Sequence, residues 1–214
     1  MTINKKNNLY LVLTSDYLLG KDVIDVATQA VVSGIDLLQM REKDKPREFL
    51  YNLGVRLRDI CLRNKVLFIV NDDPYLSRDL DADGLHLGQE DLLRCSLKEA
   101  RSILGPRKII GVSTHSLKEF ESANNSDVDY IAFGPIFPTK TKNYSIGLDQ
   151  VGDVLTIASK PVFFIGGINL DNITSILEKK AKNIAVIRAI AEAENIPARV
   201  KEFKMIIKKS FTSV

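Results

Sequence analysis

A chain of 214 residues with 45% hydrophobic content can bury a substantial core and suits one domain, or at most two small ones. A formal charge of +3, with no Lys/Arg run suited to tracking a nucleic-acid groove, excludes nucleic acid as the expected partner. The polar start MTINKKNN lacks the apolar stretch of a signal peptide, no apolar run is long enough to span a bilayer, and the two cysteines, Cys61 and Cys95, lie far apart, so the expectation is a cytoplasmic protein with structural thiols.

Short runs rich in Val, Ile, Leu and Phe alternate with longer helical patterns. The predicted strands are Leu9–Leu13, Asp36–Met40, Leu67–Val70, Gly84–Leu87, Lys108–Val112, Tyr130–Phe133, Val162–Ile165 and Asn183–Ile187. They are nearly continuous in hydrophobicity, as expected of parallel strands covered on both faces. Between them lie helical segments over about Asp22–Ser33, Pro46–Arg63, Pro74–Asp79, Ser96–Leu104, Leu117–Asn125, Leu148–Ala158, Leu170–Glu178 and Pro197–Lys209. Eight strand–helix units in unbroken alternation predict an α/β fold, a (β/α)8 TIM barrel forming a single domain over residues 1–214. A doubly wound open sheet is the alternative. It normally carries a Gly-rich turn after the first strand, and Thr14-Ser15-Asp16 has none.

A barrel places its chemistry where strands end and loops begin. After the second strand, Gln39, Arg41 and Lys43 share one face, because side chains alternate along a strand. Two cations there suit a phosphate or diphosphate, and the competing reading is a charged loop with Arg41 paired to Glu42 or Asp44. Asn71-Asp72-Asp73 ends the third strand and Gln89-Glu90-Asp91 the fourth. Acids at neighbouring strand ends suit Mg²⁺, which takes one or two carboxylates plus water and phosphate oxygens. Asp-Asp-Pro equally starts a turn and caps a helix. His86, alone within a strand, reads first as a hydrogen-bonded structural residue.

Ser113 sits at the junction after the fifth strand, and His115 near it is a candidate acid or base. Ser116 with Glu119 also makes a capping box. The loop after the sixth strand, Gly134 to Lys142, is long and carries Thr139, Thr141 and Lys142, as expected of a phosphate-closing segment. Gly166-Gly167 after the seventh strand and Ile187-Arg188 after the eighth occupy the usual phosphate-binding place of barrels.

With these residues assembled, the chain resembles the thiamine-phosphate synthase family. The matching motifs are QMREK (Gln39–Lys43), VNDD (Val70–Asp73), GLHLGQED (Gly84–Asp91), GVSTH (Gly111–His115), FGPIFPTKTK (Phe133–Lys142), IGGI (Ile165–Ile168) and AVIRAI (Ala185–Ile190). The resemblance implies an enzyme that joins hydroxymethylpyrimidine diphosphate to thiazole phosphate and releases pyrophosphate. It implies Mg²⁺ on Asp72 and Asp91, and pyrophosphate contacts from Arg41, Lys43, Asn71 and Lys142. It places Ser113 near the pyrimidine amine and diphosphate, and Gln39 on the pyrimidine side. Thr139, Thr141, Gly167, Ile187 and Arg188 fall on the thiazole-phosphate side. Arg41, Lys43, Ser113 and Lys142 are the residues expected to act on the reacting groups.

One departure stands out: the family usually has serine where this chain has Arg188. The competing classes are the thiazole tautomerase branch of the same superfamily, another phosphate-binding barrel, and a non-catalytic sensor. The expected partners are small molecules, with no membrane and no nucleic acid, and a homo-oligomer is left open.

Overall fold

The structure, a computed structural model, describes residue 3, residues 7–139 and residues 144–212. Eight strands form it: β1 Leu9–Leu13, β2 Leu37–Met40, β3 Leu67–Asn71, β4 Gly84–Leu87, β5 Ile109–Thr114, β6 Tyr130–Phe133, β7 Val162–Phe164 and β8 Asn183–Val186. All pair in parallel, in chain order, and β8 returns to β1 to close the barrel. The helices are α1 Val23–Val32, α2 Arg47–Asn64, α3 Pro74–Asp79, α4 Gln89–Leu92, α5 Leu97–Leu104, α6 Leu117–Asn124, α7 Asp149–Ile157, α8 Ile173–Glu178, α9 Arg188–Ala191 and α10 Ile196–Thr212. No helix among the described residues is long and apolar enough to cross a membrane.

Local chemistry sets these boundaries. The Asp22 carboxylate accepts the N–H groups of Ile24 and Asp25 and starts α1. Ser96 and Glu99 form a reciprocal box that starts α5. β5 runs two residues past its expected end because Ser113 and Thr114 continue the pairing with Ala132 and Phe133 of β6. α4 and α9 were not expected, since a four-residue turn carries too little sequence to show a period. The helix expected from Leu170 starts at Ile173, because Asn169 accepts the Asp171 and Asn172 N–H groups in a turn of its own.

Alternation along the strands divides the apolar residues into two layers. Leu11, Leu38, Phe68, Val70, Leu85, Phe133 and Phe164 face the helices. Tyr10, Val12, Leu37, Ile69, Ile109, Tyr130, Phe163 and Ala185 fill the barrel itself. Gly111 belongs to this inner packing: a Cβ there would lie 2.0 Å from the Tyr130 ring, so the ring occupies the space that a side chain would need.

The foot of the barrel repeats one device at alternate strands. Asp36, Asp83 and Asp129 precede β2, β4 and β6, and each carboxylate accepts a backbone N–H of the preceding strand. These are Leu9 at 2.7 Å, Phe68 at 2.9 Å and Ile110 at 2.8 Å. A cation from a helix completes each: Lys204, Arg58 and Arg101. Asn183, in β8, holds a related place by accepting the Asn8 N–H and donating to the Val162 carbonyl. Asp36 was expected as the first strand residue; its side chain instead latches the strand beside it.

The Arg58–Asp83 pair is the most enclosed of the three, with side chains 17% and 11% exposed. Removing one partner strands a buried charge. Arg58→Met is therefore expected to lower stability by about 3 kcal/mol, read as a lower denaturation midpoint at unchanged slope. A midpoint equal to the parent's would show that the latch adds nothing.

Candidate active site

The C-terminal ends of the strands surround a cavity of about 1560 Å³. Arg41 and Lys43 after β2, Asn71 and Asp72 at the end of β3, and Gly88 through Asp91 after β4 line one side. Ser113, Thr139, Gly167, Ile187 and Arg188 line the remainder. The sequence-predicted residues thus converge, with two qualifications. Thr141 and Lys142 lie outside the described residues. Gln39 is 2% exposed and sits in the buried layer rather than among the residues lining the cavity.

The paired aspartates of β3 divide two roles. Asp73 caps α3 by accepting the Leu76 N–H at 2.9 Å, and it pairs with Arg47. Asp72 faces the cavity from a backbone with φ 67, a left-handed conformation uncommon outside glycine. The cap reading of Asp-Asp-Pro thus falls on Asp73, and Asp72 is the acid that lines the cavity. Asp91 accepts the Gly88 N–H at 2.8 Å and lies beside Asp72. Burial, first, and then the neighbouring Asp91 carboxylate push Asp72 up to about 7, against the pull of Lys43 and Arg41.

Two carboxylates sharing a site favour a proton or a cation between them. No cluster of three or more metal-ligating acids, histidines or cysteines occurs among the described residues. The donor set is therefore two carboxylates, which fits a divalent ion completing its shell with water and phosphate oxygens.

Arg41 and Lys43 make no salt bridge with a described carboxylate. The competing Arg41–Glu42 pair does not form. Glu42 turns away and takes the Ser15 N–H at 2.6 Å and the Ser15 hydroxyl at 2.7 Å, tying the loops after β1 and β2 together. Two cations thus stand beside the acid pair on the same side of the barrel mouth, close enough to act on Asp72.

Beneath them runs a buried polar line. Gln39 Nε2 donates to the Tyr10 hydroxyl at 2.6 Å, which meets the Tyr130 hydroxyl at 2.9 Å. Tyr130 meets His86 Nδ1 at 2.8 Å, and His86 Nε2 meets Ser113 Oγ at 2.8 Å. Burial drives His86 down to about 4, so the ring is neutral at ordinary pH. It also pushes both tyrosines well above their usual range. The structural reading of His86 holds, yet His86 also lines the cavity.

Across the cavity, Gly166 and Gly167 adopt φ 100 and 66. A Cβ on Gly167 would meet Phe137 and Pro138 of the loop after β6, the nearest atom at 2.6 Å. Asn172 braces the turn by donating to the Gly167 carbonyl and accepting the Asn169 N–H. Arg188 opens α9, and its guanidinium lies 5.2 Å from the centre of the Tyr17 ring. His115 lines the cavity with Nδ1 against the Gly134 carbonyl. Glu119 accepts the His115 N–H rather than closing the expected box with Ser116.

Three further residues of the site, Tyr10, Tyr130 and Tyr17, lie outside every motif of the sequence. Period-two alternation could have flagged the first two, since each points inward from a strand. Tyr17 sits on a short 3-10 turn, Ser15–Tyr17, that no periodicity marks.

The family model described as thiamine monophosphate synthase matches residues 9–190. A thiamine-phosphate synthase of Persephonella marina is 38% identical over 96% of this chain and 97% of its own length. One from Clostridioides difficile is 38% identical over 96% and 98%. The solved structure of a thiamine phosphate pyrophosphorylase from Pyrococcus furiosus overlays with a TM-score of 0.87 at 33% identity, covering 97% of this chain and 98% of that one. A Streptococcus mutans KGPDC at 16% identity, with a TM-score of 0.73, shares the barrel alone. By the family model, by identity along nearly its whole length and by fold, the chain belongs to the thiamine monophosphate synthase family of transferases.

Proposed function

We propose that the chain condenses 4-amino-2-methyl-5-hydroxymethylpyrimidine diphosphate with thiazole phosphate, giving thiamine phosphate and pyrophosphate, in a reaction that requires Mg²⁺. One observation carries the reading. A single cavity joins an acid pair and two cations on one side to a glycine turn on the other, which is room for a diphosphate and a separate phosphate. Asp72 and Asp91 are the residues that would hold Mg²⁺, whose bound charge supports departure of the diphosphate.

Arg41, Lys43, Asn71 and Lys142 bind the diphosphate and stabilise the negative charge that grows as the methylene C–O bond breaks. Ser113, which lines the cavity, serves the pyrimidine amine and diphosphate, and the buried Gln39 serves the pyrimidine side. Electron donation from the amine supports the developing methylene cation, and the thiazole nitrogen then attacks that carbon. Thr139, Thr141, Gly167, Ile187 and Arg188 hold the thiazole phosphate, several of them through backbone N–H groups. No side-chain nucleophile enters. The chain acts by position and charge, in a substitution that is dissociative at the pyrimidine methylene.

The direct test mixes the protein with both substrates and Mg²⁺ and follows thiamine phosphate by oxidation to fluorescent thiochrome. Product that vanishes with EDTA is expected; folded protein without product would reject the reading.

Arg188→Ser should raise the KM for thiazole phosphate about tenfold, the scale of one charge-assisted contact. An unchanged KM would remove Arg188 from the phosphate site and leave it as a partner of Tyr17.

The Asp72 shift sets a pH dependence. With its folded value raised to about 7 from the ordinary 3.8, metal-free folded protein keeps a proton that the unfolded chain releases. Asp72 therefore favours folding fully below the ordinary value, and that contribution is lost as pH rises toward 7. Metal-free melting temperatures should fall across that window more steeply in the parent than in Asp72→Asn. Identical slopes would contradict the raised value.

A further inference from the structure

The line Gln39–Tyr10–Tyr130–His86–Ser113 crosses the barrel from β2 to β5 through β1, β6 and β4. Its chemistry allows only two arrangements of protons. An amide nitrogen donates and does not accept, a tyrosine hydroxyl has one proton, and a neutral imidazole has one donor and one acceptor. With Gln39 Nε2 donating to Tyr10, the Tyr10 proton must turn to Tyr130 and the Tyr130 proton to His86 Nδ1. His86 then carries its proton on Nε2 and donates it to Ser113 Oγ. The Ser113 proton is left to point away from His86, toward the cavity.

Rotating the Gln39 amide so that its oxygen meets Tyr10 reverses every member. Ser113 would then spend its proton on His86 and offer only lone pairs to a ligand. A mixed line would leave two hydroxyl protons facing each other, or a buried hydroxyl without an acceptor, and burial makes either costly. The tyrosine hydroxyls and His86 are buried, so water offers little relief. The packing also holds the line in place. The rings of Tyr10 and Tyr130 both lie edge-on to Phe163, with centroids 5.2 and 5.3 Å away, and Gly111 leaves the space that Tyr130 fills.

We propose that Tyr10, Tyr130 and His86 are positioning residues that carry the amide orientation of Gln39 to Ser113, making Ser113 a hydrogen-bond donor toward an acceptor atom of the diphosphate-bearing heterocycle. As a statement about ligand recognition this rests on the synthase reading above; as a statement about proton placement it does not. The line joins five strands into one unit. A cut at either tyrosine releases Ser113 in the same way.

Two experiments test it. Nitrogen-15 NMR of the imidazoles in the ligand-free protein should show His86 with its proton on Nε2 at neutral pH. The chain has two histidines, so His86→Asn assigns the signals. A proton on Nδ1 would overturn the polarity, whatever the enzyme's substrates are. Kinetics then test the consequence. Tyr10→Phe and Tyr130→Phe keep the ring packing, and melting curves check that both fold. Each should raise the KM for the pyrimidine diphosphate about tenfold, the scale of one misdirected buried hydrogen bond. The KM for thiazole phosphate should stay at the parent value. The double variant should be no worse than the worse single, because the line is already cut. Unchanged constants, equal changes toward both substrates, or losses that multiply in the double variant would each reject the positioning role. Failure of the parent to turn over would instead reject the synthase reading and leave the NMR result standing.

Discussion

Two carboxylates cannot both stay charged side by side at low cost, and the mouth of this barrel is arranged around that constraint. Asp72 follows β3 directly, and Asp91 lies in α4 just after the neighbouring β4, where its carboxylate is tied to the Gly88 N–H, so a short capped turn sets their spacing and not a long loop. Asp72 is further held by a left-handed backbone and by its N–H bond to the His86 carbonyl at 2.9 Å. Neither acid can relax far from the other. The pair can relieve its repulsion with a proton, the direction in which burial and the Asp91 carboxylate push Asp72, or with a cation. Arg41 and Lys43 pull the Asp72 carboxyl the other way without forming a direct ion pair with either acid.

The barrel is layered along its axis. Tyr10, Leu37, Ile69, Ile109 and Phe163 pack the interior. The hydroxyl and imidazole line lies above, and the charged groups lie at the rim. This order runs from a dry interior to an open mouth. Hydrogen bonds in the middle layer are protected from water, so their direction can be specified; charges at the rim stay solvated until a substrate covers them. The foot of the barrel answers to a different need. There Asp36, Asp83 and Asp129 satisfy strand N–H groups and bring helix cations onto the sheet. Acids at one end hold the fold, and acids at the other line the cavity.

The strand pattern was legible because these strands are buried on both faces, so hydrophobic runs mark them without ambiguity. Site residues at strand ends were legible for the same reason: once the strand is placed, alternation tells which of Gln39, Met40 and Arg41 points inward. What stayed hidden depends on partners distant in sequence. Nothing near Glu42 indicates that it would choose Ser15 over Arg41, and nothing near His86 shows Tyr130 on one side and Ser113 on the other. The short turns α4 and α9 escaped because capping and tertiary contacts form them, with no periodic stripe. Asp73 and Asp72 look alike in sequence, and only the backbone turn at Asp72 separates the cap from the cavity residue.

The acid pair is proposed to hold a metal that binds together with diphosphate. Electron paramagnetic resonance of Mn²⁺, titrated into the protein with and without pyrophosphate, measures this directly. The expected result is weak binding alone, tighter binding with pyrophosphate, and loss of both in Asp72→Asn and in Asp91→Asn. Mn²⁺ binding that is indifferent to pyrophosphate and equal in the parent and both variants would contradict the account.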